Sequence, residues 1–140
     1  MKTLIPKNIR RKWFLIDAAG KKIGKIATVA SKVLRGKDKV IFTPHLDCGD
    51  GVILINVGKI DISDKKLKHK SYFSHSRYSG GLKEVSAEKI FSTNPEKLLH
   101  YAVFGMLSKN RFRKEIIKRL RIFEGSEHNL QAQKPEVFNF

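Results

Sequence analysis

Trp13 to Asn56 reads WFLIDAAGKKIGKIATVASKVLRGKDKVIFTPHLDCGDGVILIN, two apolar runs with a helical repeat between them. Trp13-Phe14-Leu15-Ile16 is apolar at every position and closes on Asp17-Ala18-Ala19-Gly20, the pattern of a buried strand followed by a turn. Ile23, Ile26, Ala27, Ala30, Val33 and Leu34 then recur at helical spacing, and Gly36 stands where a C-terminal cap belongs. Val52-Ile53-Leu54-Ile55-Asn56 is again continuously apolar, β-branched, and bounded by Gly51 and Gly58. A strand with one wet face would alternate, and these do not. Strand, helix, strand with fully apolar strands predicts a parallel sheet covered by helices.

Working outward, Lys66 to His75 behaves differently. Leu67, His69, Ser71, Phe73 and His75 alternate with Lys66, Lys68, Lys70, Tyr72 and Ser74, so neither face is cleanly apolar. That predicts an exposed extended arm or hairpin, interrupted at Ser79-Gly80-Gly81. Asn94-Pro95-Glu96 is a helix start, with a cap, a proline at the first helical position and an acid in the first turn. The helix it opens is expected to bury Leu98, Leu99, Ala102, Val103, Met106 and Leu107. Lys109 to Arg121 reads KNRFRKEIIKRLR, seven basic residues in thirteen with the single acid Glu115. Wound as one helix, it places Arg111, Lys114, Lys118 and Arg121 on one side and Phe112, Ile116, Ile117 and Leu120 on the other. Ile122-Phe123 reads as a short strand, and from Gly125 the tail is polar apart from Phe138 and Phe140.

Length and composition bound the class. At 140 residues the chain suits one domain over residues 1–140, with 41% hydrophobic content, enough for a core. No run approaches the roughly 20 apolar residues that span a bilayer. The opening MKTLIPKNIRRKW has no apolar stretch of signal length before Arg10, Arg11 and Lys12, so export is not expected. Cys48 is the single cysteine, which excludes an internal disulfide and a multi-cysteine zinc site. A reducing cytoplasm is the expected setting.

The charge is the functional signal. Lys and Arg number 29 against 13 Asp and Glu, a formal charge of +16. The basic residues fall in separated groups: Lys7 to Lys12, Lys21 to Lys39, Lys65 to Lys70, and Lys109 to Arg121. Charge dispersed along a folding chain suits a nucleic-acid partner better than a membrane surface, which favours one amphipathic helix. Like charges four apart on a helix repel, so Lys114 and Lys118 stacked without acids point to anions supplied from outside. Solubility is an adequate reading for isolated Lys59, Lys89 and Lys97. Tyr72, Phe73 and Tyr78 lie near charge and have the chemistry to stack on unpaired bases.

Catalytic readings fail on spacing. Gly20 to Lys25 sits where phosphate loops sit, but has three residues between its glycines and Ile26 where Ser or Thr would hold magnesium. It keeps the option of an RNA phosphate at the helix N-terminus. Asp47-Cys48-Gly49-Asp50-Gly51 lacks the ligand spacing of a calcium loop and reads as a turn whose Asp side chains bond local backbone. The five histidines form no helical pair with a third ligand. Cys48 has no base partner and reads as a small packed residue. No enzyme activity, cofactor, metal or small-molecule substrate is expected.

These segments resemble the large-subunit ribosomal protein thirteen family, bacterial type. The likeness is carried by Trp13 to Asn56, by AVFGMLSKNRFRKEIIKRLRIFEGSEHNLQAQKP (Ala102 to Pro135), and by Gly80-Gly81 between them, in register over nearly the whole chain. It implies a three-layer α/β/α domain around a four-stranded, mostly parallel sheet, with the basic arm or hairpin and the polar C-terminal tail attached. It further implies a structural constituent of the large ribosomal subunit, bound to its rRNA and to neighbouring subunit proteins, engaged early in assembly, and cytoplasmic. The alternative is a free RNA-binding regulator acting outside the ribosome.

Carried over by position, the likeness places RNA-facing residues at Lys21, Lys22, Lys25, Arg35, Lys37 and Lys39, with Thr43-Pro44-His45 in the same stretch. The signature around Gly105-Met106-Leu107 continues through Lys109, Arg113 and Lys114 to Gly125, His128, Gln133 and Pro135. With the charge clusters, the expected rRNA-binding set also takes in Arg10, Arg11, Lys12, Lys66, Lys68, Lys70, Arg77, Arg111, Lys118 and Arg121. The chain departs from the family at Ser108, where proline is frequent, at Arg111-Phe112, where Leu-Gly is frequent, and at Leu130, where many relatives carry a second tail histidine.

Overall fold

The computed structural model describes residues 8–140; Lys7 of the first basic cluster and the residues before it lie outside the described residues. The central strands form where the apolar runs stand: β1 is Trp13–Asp17 and β2 is Gly51–Ile55. Between them α1 spans Ile23–Arg35 and buries Ile26, Ala27, Ala30, Val33 and Leu34. Gly36 ends it in the left-handed region at φ 71°. Its N–H donates to the Val33 carbonyl (2.9 Å) and that of Lys37 to the Lys32 carbonyl (3.1 Å), which satisfies two orphan acceptors of the last turn.

The sheet has four strands in the order β5-β2-β1-β6, where β5 is Leu120–Ile122 and β6 is Glu136–Val137. Every pairing in it is parallel. Phe14, Ile16, Val52, Leu54 and Leu120 share one face and pack with α1 and with α4 (Pro95–Met106) into the main core. Ile53 points to the other face and is fully buried there. The architecture is α/β, a parallel sheet with helical elements, in keeping with the expected three-layer arrangement.

The remaining elements are α2 (Asp64–His69), the antiparallel hairpin of β3 (Ser71–His75) and β4 (Leu82–Ser86), α3 (Ala87–Thr93), α5 (Arg113–Ile117) and two single-turn 3-10 helices at Val57–Lys59 and Gln131–Gln133. Asn94 caps α4 as expected, its Oδ1 accepting the Lys97 N–H at 3.0 Å.

Four expectations need correction. Lys66 to His69 are helical, not extended; the alternation there is incidental to a short helix whose Leu67 turns inward while His69 stays exposed. Lys109 to Arg121 is not one helix: α5 covers five residues, and Leu120 to Ile122 leave it to pair with Val52 to Leu54. Sheet hydrogen bonds outweigh continuation of a helix crowded with like charges. Met106 is 43% exposed rather than core, since α4 ends there. The tail is more than polar coil. It returns as β6 beside β1, and Phe138 sets its ring edge-on against Phe14 at 5.7 Å.

Candidate nucleic-acid interface

In a parallel sheet all strand C-termini lie at one end, so the loops after β1 and β2 converge there. Lys21, Lys22 and Lys25 occupy this end, around the first turn of α1. That turn contains no acid and has no side-chain cap. Two carboxylates are near without forming an ion pair with these lysines: Asp61 bridges to Lys22 through its backbone, and Asp17, which feels the Lys21 charge, accepts its hydrogen bonds from the Ala19 N–H (3.0 Å) and the Asn56 side-chain amide (2.9 Å). Those bonds, the backbone one first, hold its carboxyl below the usual carboxylate range. The terminal Phe140 ring lies under the Lys21 ammonium at 3.8 Å, with that of Lys25 at 5.6 Å. Two cations gathered at the positive end of a helix dipole repel each other and the helix alike. An anion placed between them removes both penalties.

The opposite end collects the second group. A small cleft of about 110 Å³, lined by Arg35, Pro44, Asp47, Asn110 and Phe112 among others, joins the loop after α1 to the segment before α5. Lys37, His45, Lys109, Arg111 and Lys114 are exposed along these segments. None of these, nor Arg35, forms an ion pair with an acid among the described residues. At 1.5 Å per residue, the thirteen residues of α1 set the two groups roughly 20 Å apart.

What holds this end is a network that the basic pattern did not reveal. Arg119 is 14% exposed, and its Nη2 lies 2.6 Å from Asp47 Oδ1. The same guanidinium reaches the Leu34 carbonyl at 3.4 Å and the Asp50 carbonyl at 3.5 Å. Asp50 is buried; its Oδ1 accepts from the Lys39 ammonium at 2.6 Å and from the Lys12 N–H at 2.8 Å. The two acids therefore serve distant cations more than local backbone, where only the Gly49 N–H approaches Asp47, at 3.4 Å. Nothing in the periodicity singled out Arg119 from its six basic neighbours. The available signal was indirect: two acids flanked by apolar and glycine residues need cations if they are to be buried.

Several expected contact residues are engaged by their own protein. Lys39 is the partner of Asp50. Arg113 donates to the Phe104 carbonyl from both Nε (2.9 Å) and Nη2, and lies 3.7 Å over the Phe104 ring, at the end of α4. Lys12 pairs with Glu136 at 2.8 Å, which raises its affinity for its proton. Exposed Arg11 approaches the largely buried Asp47 at the long distance of 3.4 Å, and Lys118 meets Glu115 at 3.1 Å in solvent. Exposed pairs of this kind are weak and exchange readily for another anion. His128 is half-buried beside Phe123, its Nδ1 accepting the Leu130 N–H at 3.3 Å.

Others stand apart from both groups. Arg121 projects from β5 into a cleft shared with Lys97 and His100, so it does not extend the face of Lys114 and Lys118. Lys66, Lys68 and Lys70 lie on or just after α2, and Arg77 sits at the hairpin tip with φ 68°. Arg10 is exposed just before β1. Of the aromatics, Tyr72 is stacked on Tyr101 at 5.1 Å and is not free for a base, whereas Phe73 and Tyr78 are 64% and 79% exposed. Cys48 is fully buried. Among the described residues no group of three or more His, Cys, Asp or Glu stands close enough to hold a metal ion, and no helix is long and apolar enough to cross a membrane.

The family model described as Ribosomal protein L13 matches residues 11–129, which includes both cation groups and the network that holds the second. The chain belongs to the ribosomal protein L13 family. Relatives named large ribosomal subunit protein uL13 include one from Clostridioides difficile (strain 630), 50% identical over 96% of this chain and 94% of its own length. Another, from Geobacillus sp. (strain WCH70), is 48% identical over 95% of this chain and 92% of its own. A third, from Listeria innocua, is 47% identical over the same shares. The L13 match thus extends over β1, α1, β2 and the α5–β5 segment together.

Proposed function

We infer that this chain is a structural, non-enzymatic constituent of the large ribosomal subunit, bound to its rRNA and engaged early in assembly, and that it holds RNA through the cations at the two ends of α1. The observation that carries the reading is electrostatic: Lys21, Lys22, Lys25, Arg35, Lys37, Lys109, Arg111 and Lys114 form no ion pair with an acid among the described residues, although the fold pairs several other cations internally. A free chain carrying +16 repels itself, and polyphosphate is the anion available at matching density. With α1 as a rigid spacer, two RNA backbones roughly 20 Å apart can be held at a fixed separation. Lys39, Arg113 and Arg119 act by positioning, since each fixes a loop or helix end next to the exposed cations.

Contacts of this kind give affinity and register rather than base reading. Selectivity then rests on the shape of folded rRNA, whose A-form major groove side chains cannot enter. Neighbouring subunit proteins complete the setting. The test is charge reversal at positions that lack an internal partner. Arg111→Glu with Lys114→Glu should leave the melting temperature unchanged yet cut recovery in salt-washed large subunits by roughly tenfold, as expected when two phosphate contacts become repulsive. Normal recovery would remove the α5 segment from the RNA surface. Loss of the unaltered chain from washed subunits would favour a free RNA-binding regulator.

A further inference from the structure

Away from both cation groups, α1, α2, β3 and α4 enclose an open groove of about 490 Å³. Ile23, Ile62, Leu67, Leu98 and Ala102 are among its lining residues, together with the Tyr72–Tyr101 stack and the exposed Met106. Lys66 and Lys70 are the charged residues of the lining, and no acid contributes to it. Gly24 and Gly105 also line it; both have ordinary helical φ, and a Cβ on either would meet nothing within 4 Å. The fold itself therefore does not need these glycines. Their missing side chains are what leave the groove open.

We propose that this groove receives an amphipathic segment of another large-subunit protein, with apolar anchors in the groove and a carboxylate against Lys66 and Lys70. The proposal rests on the ribosomal reading and adds to it which surface meets protein rather than RNA. Charge complementarity sets the acid: two lysines at an otherwise apolar groove match an apolar segment flanked by Asp or Glu. The lining disfavours the other ribosomal occupant, a splayed nucleobase. Apart from the lysine and tyrosine heads, its side chains offer no strong hydrogen-bonding group, so a buried base edge would lose its water without replacement, at about 1–3 kcal/mol per group. Apolar anchors at helical or alternate spacing carry no such penalty. Exposed Met106 adds a flexible, polarizable contact of the kind that adapts to such anchors.

The experiment uses the assembled particle. The chain is labelled with a diazirine analogue of methionine, close in size to the natural residue, and reconstituted into large subunits. Met1 and Met106 are its two methionines, so mapped peptides separate their products. Irradiation should join position 106 to a peptide of another subunit protein that carries clustered apolar residues within a turn or two of an Asp or Glu. Gly105→Leu fills the groove and should lower that yield several-fold, without lowering the melting temperature or recovery of the chain in subunits. A crosslink from 106 to RNA, to residues 1–7 of the same chain, or to nothing would overturn the proposal. Absence of the unaltered chain from the subunits would instead be the failure of the ribosomal reading.

Discussion

Arg119 and Asp47 show how one buried pair organises an interface it does not itself present. Their side chains are 14% and 15% exposed, and the fork of Arg119 also meets two backbone carbonyls. Removing Arg119 leaves the largely buried Asp47 with only the long contact from exposed Arg11. Arg119→Met should therefore lower unfolding free energy by about 3 kcal/mol, at the low end for a broken buried pair because some solvent remains. Arg119→Lys should recover only part of it, since an ammonium cannot reproduce the bidentate geometry. Urea unfolding checks both, and a loss under about 1 kcal/mol for the methionine variant would contradict the buried pairing.

His100 is a second residue whose surroundings set its chemistry. Its ring stacks on Phe104 at 6.2 Å, and burial pushes its affinity for a proton below the ordinary 6.5. The unfolded chain then binds the proton more readily than the folded one. The native state keeps its full stability above pH 6.5 and loses some as pH falls from there through the lower folded value. A proton NMR titration of His100 should show a midpoint below 6.5, and a midpoint at or above it would contradict the burial.

Among the elements, legibility followed the length of the pattern. β1, α1 with its Gly36 cap, β2 and the Asn94 start of α4 each announce themselves by periodicity or capping chemistry, and all four form where expected. The α5 segment misled because its apolar residues fit two structures: Phe112, Ile116, Ile117 and Leu120 do face the core, but across a short helix and a strand. β6 was illegible for a different reason. Two residues, Glu136 and Val137, make no period, and what selects them is the free edge of β1 together with the docking of Phe138 on Phe14. That docking is testable. Phe138→Ala should cost about 2 kcal/mol from lost burial and the edge-on aromatic pair. Unchanged stability in thermal or denaturant unfolding would mean that the tail does not pack on the sheet in solution.

Across the whole molecule, charge is sorted. Some cations are consumed by the fold, at Lys39, Arg113 and Arg119, and among the described residues others form no ion pair at the two ends of α1. The basic character of the chain was plain from composition. The sorting was not, because whether a lysine meets a carboxylate depends on loops that close over long sequence separations, such as Asp47 with Arg119. Lysine-specific chemical modification read by mass spectrometry, on the free chain and on intact large subunits, tests that sorting most directly. Lys21, Lys22, Lys25, Lys37, Lys109 and Lys114 should react readily when free and become strongly protected in the subunit, while Lys39 should be slow in both. Equal reactivity of those six lysines in the two states would contradict the claim that ribosomal RNA neutralises them.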